Sequence, residues 1–254
     1  MPSPIALQLY TIREALQQDF ESTIKKVAAM GYIGLETAAF WGTTPQQAAQ
    51  LFRDLGLVVT SAHMPLPLGD KQNEVLDIMA LLGCQRLICA HFPPEQYQSI
   101  NGIKQVCDIL NEANEVTLAN GLSLGVHNHW WEFEPVGSGR YPYQIWLERL
   151  NPAIFFEIDT YWVKTAGLDP GEIVTLFGAR APLLHIKDGP ATTSAPMVAL
   201  GEGVMDFPPL MDAAAGSVEW LIVELDHCAT DMMKAVEASY RYLVEEGFAR
   251  GHKS

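Results

Sequence analysis

The sequence lacks long apolar runs and has few cysteines. None of its apolar segments approaches the roughly 20 residues of a membrane-spanning helix. The N-terminal segment has neither the charged region nor the long apolar region of a secretory signal. The four cysteines, Cys84, Cys89, Cys107 and Cys228, form no CxxC pair and no pattern of a small disulfide-bonded domain. We therefore expect a cytoplasmic protein with reduced thiols and no membrane partner.

Basic residues are scarce. Lys and Arg number 16 against 30 Asp and Glu, which gives a formal net charge of −14. Such a chain repels phosphate backbones, and no cluster of Lys and Arg offsets this, so we expect no nucleic-acid partner. Acidic loops attract metal cations instead. Besides Arg13 and Lys187, few basic residues follow the predicted strands, which favours an unphosphorylated substrate.

Short apolar runs alternate with longer amphipathic stretches along the chain. The runs are Ile5–Tyr10, Ile33–Thr37, Val58–His63, Arg86–His91, Leu122–His127, Ile154–Asp159, Leu183–Lys187 and Trp220–Asp226. Eight buried strands separated by helices predict an α/β protein, a single (β/α)8 TIM barrel over residues 1–254. An open doubly wound sheet is the alternative, but Tyr10-Thr11-Ile12-Arg13 is not the phosphate-binding glycine loop that such a sheet carries after its first strand.

Helical patterns fill the spaces between several of these runs. The predicted helices are Phe20–Met30, Thr44–Leu55, Ile103–Asn120 and Asp231–Glu246, and a glycine follows each of them. The least regular stretches are Trp130–Tyr143 and Gly189–Phe207. Both follow strands, so we expect them above the C-terminal face of the barrel, with Asp206 capping the next helix.

Histidine is concentrated at one end of the predicted barrel. Six of the 7 histidines lie at or just past a predicted strand end: His63, His91, His127, His129, His185 and His227. Carboxylates hold similar positions: Glu36, Asp159, Glu224 and Asp226. Because the C-terminal face carries the chemistry of TIM barrels, this concentration indicates an active site rather than isolated core histidines.

Mixed imidazole and carboxylate side chains predict one divalent metal ion. Asp159, His185 and Glu224 end the adjacent strands six, seven and eight, so their side chains can converge. These ligand types suit Mn²⁺, Mg²⁺, Co²⁺ or Fe²⁺ better than a thiolate zinc site. Mn²⁺ is our first expectation, and Zn²⁺ stays open. The fifth strand and its loop offer a fourth ligand in His127, His129 or Glu132.

At these residues the sequence resembles the sugar phosphate isomerase/epimerase superfamily, the xylose isomerase-like TIM barrels. The resemblance lies in five motifs: His127-Asn128-His129 with Glu132-Phe133, Phe156-Glu157-Ile158-Asp159, His185-Ile186-Lys187-Asp188-Gly189, Gly201-Glu202-Gly203 with Asp206, and Val223-Glu224-Leu225-Asp226. The motifs span nearly the whole chain in the family's order. They are specific for the family and not for its substrate.

The resemblance implies a barrel with a Glu, Asp, His and Glu metal set. Asp159, His185 and Glu224 match its last three positions. The first position departs from the pattern, because many members have Glu where this chain has His127. Members with the His-Asn-His form carry a Glu shortly afterwards, so we expect Glu132 as the fourth ligand, with His127 as the alternative.

The implied function is a divalent-metal-dependent isomerase or epimerase of a small keto-sugar. It would abstract a proton next to a carbonyl, with the enediolate stabilised by the metal. The expected catalytic residues are His127, His129, Glu224 and Lys187. A dehydratase acting by β-elimination on a keto-sugar or keto-inositol is the alternative. Further alternatives are an abasic-site endonuclease of the trinuclear-zinc type, which the acidic composition disfavours, and a non-catalytic sugar-binding barrel.

Substrate contacts are expected from polar and aromatic side chains near the strand ends. The candidates are Glu36, Trp41, His63, His91, Trp130 and Lys187. Lys187 lies two residues beyond His185 on the same strand face, so it can hold a hydroxyl or a developing oxyanion. The expected partner is a small sugar, and a homo-oligomer stays open.

Overall fold

The computed structural model describes residues 2–137 and 139–252. Its strands are β1 Ser3–Gln8, β2 Gly34–Thr37, β3 Val58–His63, β4 Arg86–Cys89, β5 Ser123–His127, β6 Phe155–Asp159, β7 Leu183–Ile186, β8 Trp220–Val223 and β9 Ala249–Arg250. Its helices are α1 Arg13–Gln18, α2 Phe20–Met30, α3 Pro45–Asp54, α4 Gln72–Leu82, α5 Ile100–Ala119, α6 Pro142–Arg149, α7 Thr160–Thr165, α8 Pro170–Phe177, α9 Phe207–Ala214 and α10 Met232–Glu245.

Eight parallel strands close into a barrel. The strands are hydrogen-bonded in chain order from β2 to β8, and β1 joins β8 to β2. Helices connect successive strands, so all eight carboxyl ends lie on one face. The predicted (β/α)8 TIM barrel is confirmed, and the open sheet is excluded. The short β9, which the sequence did not predict, pairs with the start of β1 at the opposite face.

Local signals set the helix ends. Helix α2 begins after Asp19, whose carboxylate accepts a hydrogen bond from the backbone N–H of Ser22, and it ends at Gly31 with a φ of 104°. Helix α3 begins with a reciprocal capping box between Thr44 and Gln47. Among residues 2–137 and 139–252, no helix has both the length and the apolar character needed to cross a bilayer.

The barrel interior changes from apolar to polar towards the carboxyl ends. At the bottom, Ala6, Ile88, Leu183 and Ile222 form a small apolar cluster. Alternate residues along β6 then point inward at successive levels, in the order Phe155, Glu157 and Asp159. Along β7 the order is Leu183 and His185, with Lys187 directly after the strand. The fold therefore supports two polar levels on an apolar base.

Gly125 makes the apolar base possible. A Cβ atom at this position of β5 would lie 2.5 Å from the ring of Phe155 and 2.6 Å from Ile88. Such distances are well inside van der Waals contact, so only glycine leaves room for these two side chains.

One buried carboxylate organises the long loop after β7. Asp188 accepts hydrogen bonds from the backbone N–H groups of four residues: Gly189, Gly201, Gly203 and Met205. Met197 and Leu200 in this loop are buried against the barrel. Asp206 precedes α9 as predicted, but its side chain makes no capping hydrogen bond.

Candidate active site

Four potential ligands converge at the carboxyl ends of neighbouring strands. His127, Asp159, His185 and Glu224 each offer one donor atom, and these atoms lie within 4.8 Å of one another. His185 Nδ1 lies 2.7 Å from Glu224 Oε2, and His127 Nε2 lies 3.9 Å from Asp159 Oδ2. All four residues are buried and come from or follow β5, β6, β7 and β8. We call this set the upper group.

The local chain fixes the Asp159 carboxylate. Asp159 is the last residue of β6, and its Oδ1 accepts hydrogen bonds from the backbone N–H groups of Tyr161 and Trp162 at the start of α7. This leaves Oδ2 directed at the upper group. Asp159 therefore caps a helix and presents a donor atom at the same time.

A second group of buried ionisable side chains lies one level deeper. It consists of Glu36, His63 and Glu157, together with the ring nitrogens of His127 and His185 that face away from the upper group. His63 Nε2 lies 2.7 Å from Glu157 Oε2, and His185 Nε2 lies 2.7 Å from Glu36 Oε1. We call this set the lower group.

Gln8 and Ser61 hold Glu36 in the lower group. The side-chain amide of Gln8 donates to Oε1 at 2.6 Å, and the hydroxyl of Ser61 donates to Oε2. Glu36 is fully buried. Its carboxylate is thus fixed by neighbouring strands and not by solvent.

His127 and His185 connect the two groups. His185 directs Nδ1 to Glu224 and Nε2 to Glu36. His127 directs Nε2 towards Asp159 and Nδ1 towards Glu157, at 3.2 Å. Each imidazole therefore has one nitrogen in each level, so the lower carboxylates orient the rings that complete the upper group.

Lys187 places a positive charge beside the upper group. Its Nζ lies 2.9 Å from Asp159 Oδ2, 2.7 Å from Glu224 Oε2 and 2.8 Å from Asp226 Oδ2. Only 1% of its surface is exposed. Burial lowers the pKa of Lys187, but the three carboxylates outweigh this effect and raise it well above its usual value. The side chain is therefore a fixed ammonium group.

The histidines fall into charged and neutral classes. Burial opposes protonation of His63, but Glu36 and Glu157 raise its pKa to about 10. Burial and neighbouring His185 hold the pKa of His127 well below its usual value. Burial and Lys187 lower the pKa of His129 to about 3. His127 and His129 are therefore neutral imidazoles, whose lone pairs are available to a metal or a proton.

A cavity of about 800 Å³ opens above the upper group. Side chains of His63, His127, His129, Lys187 and Glu224 line it on the polar side. The His129 ring stacks on Trp131, with ring centroids 4.2 Å apart. The cavity therefore brings a potential metal set, an ammonium group and neutral imidazoles to one space that a small molecule can enter.

A family model described as xylose isomerase-like TIM barrel matches residues 24–245. The chain belongs to the xylose isomerase-like TIM barrel family. Two crystal structures of sugar phosphate isomerase/epimerase from Parabacteroides distasonis share 25% and 26% sequence identity with it, with TM-scores of 0.82 and 0.83. Each comparison covers 98% of this chain and 96% or 100% of the other chain. The predicted superfamily is confirmed.

Another solved structure shows the same fold at lower identity. An L-ribulose 3-epimerase has a TM-score of 0.71 at 17% identity, over 97% of this chain and 94% of that one. At this identity the likeness shows the fold alone. A search of curated proteins gave no significant match.

We expected Glu132 as the fourth metal ligand, but the structure places it apart from Asp159, His185 and Glu224. Glu132 lies in the turn Trp131–Phe133, fully buried, and its Oε2 accepts the backbone N–H of His129 at 2.8 Å. The carboxylate is directed at the turn and is not part of the upper group, where His127 takes the fourth place. Burial raises the pKa of Glu132 to about 8.

Three expected substrate contacts are also placed differently. Glu36 lies in the lower group, below the cavity, and does not line it. Trp130 packs against Trp131 and Trp162, and Trp131 lines the cavity where Trp130 was expected. The ring centroids of Trp41 and Tyr10 are 6.4 Å apart, and Tyr10 lines the cavity whereas Trp41 does not.

The other residues expected to contact substrate, His63, His91 and Lys187, line the cavity. Sequence reasoning missed Glu157 as a site residue. It lies two residues before Asp159 in β6, so strand alternation places both carboxylates inside the barrel. A charged residue inside an otherwise apolar strand was the available signal.

Proposed function

We propose that this chain is a divalent-metal-dependent isomerase or epimerase that moves a proton at a carbon next to a carbonyl in a small keto-sugar. The observation that carries the proposal is the upper group, in which donor atoms of His127, Asp159, His185 and Glu224 lie within 4.8 Å of one another, and two of these residues, His127 and Glu224, line a cavity. The family supports sugar isomerisation as the reaction class.

The donor set fits a single divalent ion. Ligand atoms that each lie about 2.1 Å from one ion are about 3.4 Å apart in tetrahedral geometry. The 2.7 Å and 3.9 Å separations within the upper group bracket this distance. Two imidazoles and two carboxylates without a thiolate suit Mn²⁺, Fe²⁺ or Co²⁺, and we favour Mn²⁺.

The charge balance also favours a cation. Glu36, Glu157, Asp159, Glu224 and Asp226 form one connected network with His63, His185 and Lys187. Burial raises the pKa of Asp159 to about 6, although Lys187 and His185 oppose this shift. His185 must be neutral to bind a metal, so five carboxylates then face the two cations His63 and Lys187, and a divalent ion would offset this negative excess.

A divalent ion held by the upper group would supply Lewis acidity at a substrate carbonyl oxygen. Lys187 would hold the developing negative charge or a neighbouring hydroxyl with its fixed ammonium group. Glu224 would accept the proton from the substrate carbon, because its carboxylate is part of the cavity wall.

His129 is the second proton-transfer group in this proposal. It follows β5, whereas Glu224 follows β8, and β6 and β7 lie between them in the barrel. The two groups therefore flank Asp159 and His185 from either side. For inversion of the carbon, His129 would deliver a proton taken up from solvent to the opposite face, and Glu224 would release the abstracted proton to solvent. Return of the abstracted proton by Glu224 to the neighbouring carbon would isomerise the sugar.

Metal removal tests the requirement for an ion. Purified protein is treated with a chelator and assayed on a panel of keto-sugars, by exchange of a substrate C–H with D₂O in NMR spectra. We expect exchange to stop and to return with Mn²⁺ or Co²⁺. Full exchange in protein shown to be metal-free contradicts the proposal.

Replacement of Glu224 tests its role as base. The Glu224→Gln variant should lose substrate exchange by a factor of about 10² or more, the usual contribution of general base catalysis. Metal content is measured in parallel, because Glu224 is also a proposed ligand. Glu246→Gln, at the exposed residue that directly follows α10, is the matched control and should behave as the parent. Retained exchange in a metal-loaded Glu224→Gln protein excludes Glu224 as the base.

A further inference from the structure

The cavity has two chemically different walls. The loops after β5, β7 and β8 contribute His127, His129, Lys187, Glu224 and Asp226 to one wall. The loops after β2, β3 and β4 contribute Ala38, Met64, Pro65, Leu66, Ala90 and Phe92 to the other. We call the second set the apolar wall.

Charged groups are missing from the apolar wall among the described lining residues. His63 and His91 also line the cavity, but they are not part of the apolar wall. Met64, Leu66 and Phe92 are partly exposed, so their side chains are available to a bound molecule. An exposed apolar surface beside a polar site is typical of ligand recognition.

The cavity is large for a free sugar. Its volume of about 800 Å³ lies in the range of roughly 300–1,000 Å³ that accommodates drug-sized ligands. A monosaccharide bound at the upper group through its oxygen atoms would occupy the polar side. The space against Met64, Leu66 and Phe92 would then hold only water, which these side chains interact with poorly.

We propose that the substrate is a sugar that carries an uncharged aromatic substituent, with the sugar on the polar wall and the aromatic ring against the apolar wall. The position of the sugar rests on the proposed function. The aromatic substituent is inferred from the apolar wall itself, independently of the reaction. Its thioether and phenyl side chains, Met64 and Phe92, both make favourable contacts with aromatic rings.

Binding of unreactive glycosides tests this substrate class separately from the reaction. Phenyl and methyl glycosides of glucose, galactose, mannose and xylose are titrated into the protein with and without Mn²⁺, by calorimetry. We expect at least one phenyl glycoside to bind roughly tenfold or more tightly than its methyl counterpart, because the ring buries apolar surface. No turnover is needed for this readout.

Two leucine variants locate the ring. Leu66→Ala should reduce the phenyl preference about threefold or more, because it removes apolar contact surface from the wall. Leu176→Ala is the matched control. Leu176 is 54% exposed on α8, outside the cavity, and this variant should keep the full preference.

Each outcome has a defined meaning. Equal affinity of the phenyl and methyl members, including no measurable binding of either, overturns the proposed substrate class. A phenyl preference that survives Leu66→Ala, or that falls equally in Leu176→Ala, also overturns it. A phenyl preference that depends on Leu66 in a protein without metal-dependent exchange supports the substrate class while the proposed reaction fails.

Discussion

At the scale of single residues, the orientation of two imidazoles determines the site. His185 Nε2 lies 2.7 Å from Glu36, which leaves Nδ1 for the upper group. A carboxylate behind a metal-binding histidine fixes the ring and raises its basicity. Glu36 therefore acts on the proposed metal through His185, although it lies below the cavity.

Glu36→Gln should weaken metal binding about tenfold, towards the low end of the range for lost carboxylate partners of ligands. The amide can still accept a hydrogen bond from His185, so the fold should be kept while the charge is lost. Affinity for Co²⁺ is measured by competition with a chelator, and the visible Co²⁺ spectrum reports ligand geometry. An unchanged affinity argues against this positioning role.

Glu132→Gln is the matched control for that experiment, since Glu132 is equally buried but outside the upper group. Its Co²⁺ affinity should equal that of the parent. A loss of metal binding larger than that of Glu36→Gln would make Glu132 a ligand after all and remove His127 from that role.

Glu132 should also make stability depend on pH. The unfolded carboxyl loses its proton near pH 4.5, whereas burial raises the folded-state pKa to about 8. The contribution of protonated Glu132 to the free energy of unfolding is therefore fully present below pH 4.5. It is lost as pH rises to about 8, at up to roughly 1.4 kcal/mol per pH unit.

Urea unfolding of the parent and of Glu132→Gln across this window checks the effect. The variant should match the parent near pH 4 and become more stable than the parent above pH 6. Parallel profiles at all pH values would show that Glu132 is ionised in the folded protein.

At the scale of elements, Asp188 holds the loop after β7 in place through four backbone N–H groups. Asp188→Asn replaces one acceptor oxygen with a donor. Each N–H that loses its acceptor in the interior costs about 1–3 kcal/mol. We expect a lower melting temperature and faster hydrogen exchange in residues 189–205. Asp206→Asn, whose side chain makes no capping bond, is the control and should change neither.

The strands and three members of the upper group could be predicted from sequence, because buried strands give continuous apolar runs. Asp159, His185 and Glu224 were identified by their position at the ends of such runs. Glu36 was expected at the cavity, but it lies one residue before the end of β2 and its carboxylate belongs to the lower group. Inward side chains on one strand are two residues apart, so the level of a side chain depends on its exact distance from the strand end, which sequence patterns do not define.

Loop residues could not be placed in this way. The turn Trp131–Phe133 directs the Glu132 carboxylate to a backbone N–H, and it brings Trp131 to the cavity instead of Trp130. Neither outcome follows from periodicity, because irregular backbone has no repeating side-chain direction. The sequence alone therefore gives no basis for choosing between His127 and Glu132 as the fourth ligand.

At the scale of the whole molecule, closure of β1 onto both β2 and β8 joins all eight barrel strands in one hydrogen-bonded ring. The upper group draws residues from four of these strands. We expect a single cooperative unfolding transition whose midpoint temperature rises with added Mn²⁺. At a thousandfold excess over Kd, binding should raise the free energy of unfolding by up to about 4 kcal/mol. Calorimetry checks this. Two transitions, of which only one moves with metal, would contradict a single domain.

The two walls of the cavity come from different arcs of the barrel. Residues proposed to carry out the reaction follow β5 to β8, whereas the apolar wall follows β2 to β4. Exchange of the segments 64–68 and 92–97 with those of another member of the family should therefore alter which molecules are accepted without disturbing the chemistry. In such a barrel, new specificities can arise by replacing loops on one half of the rim.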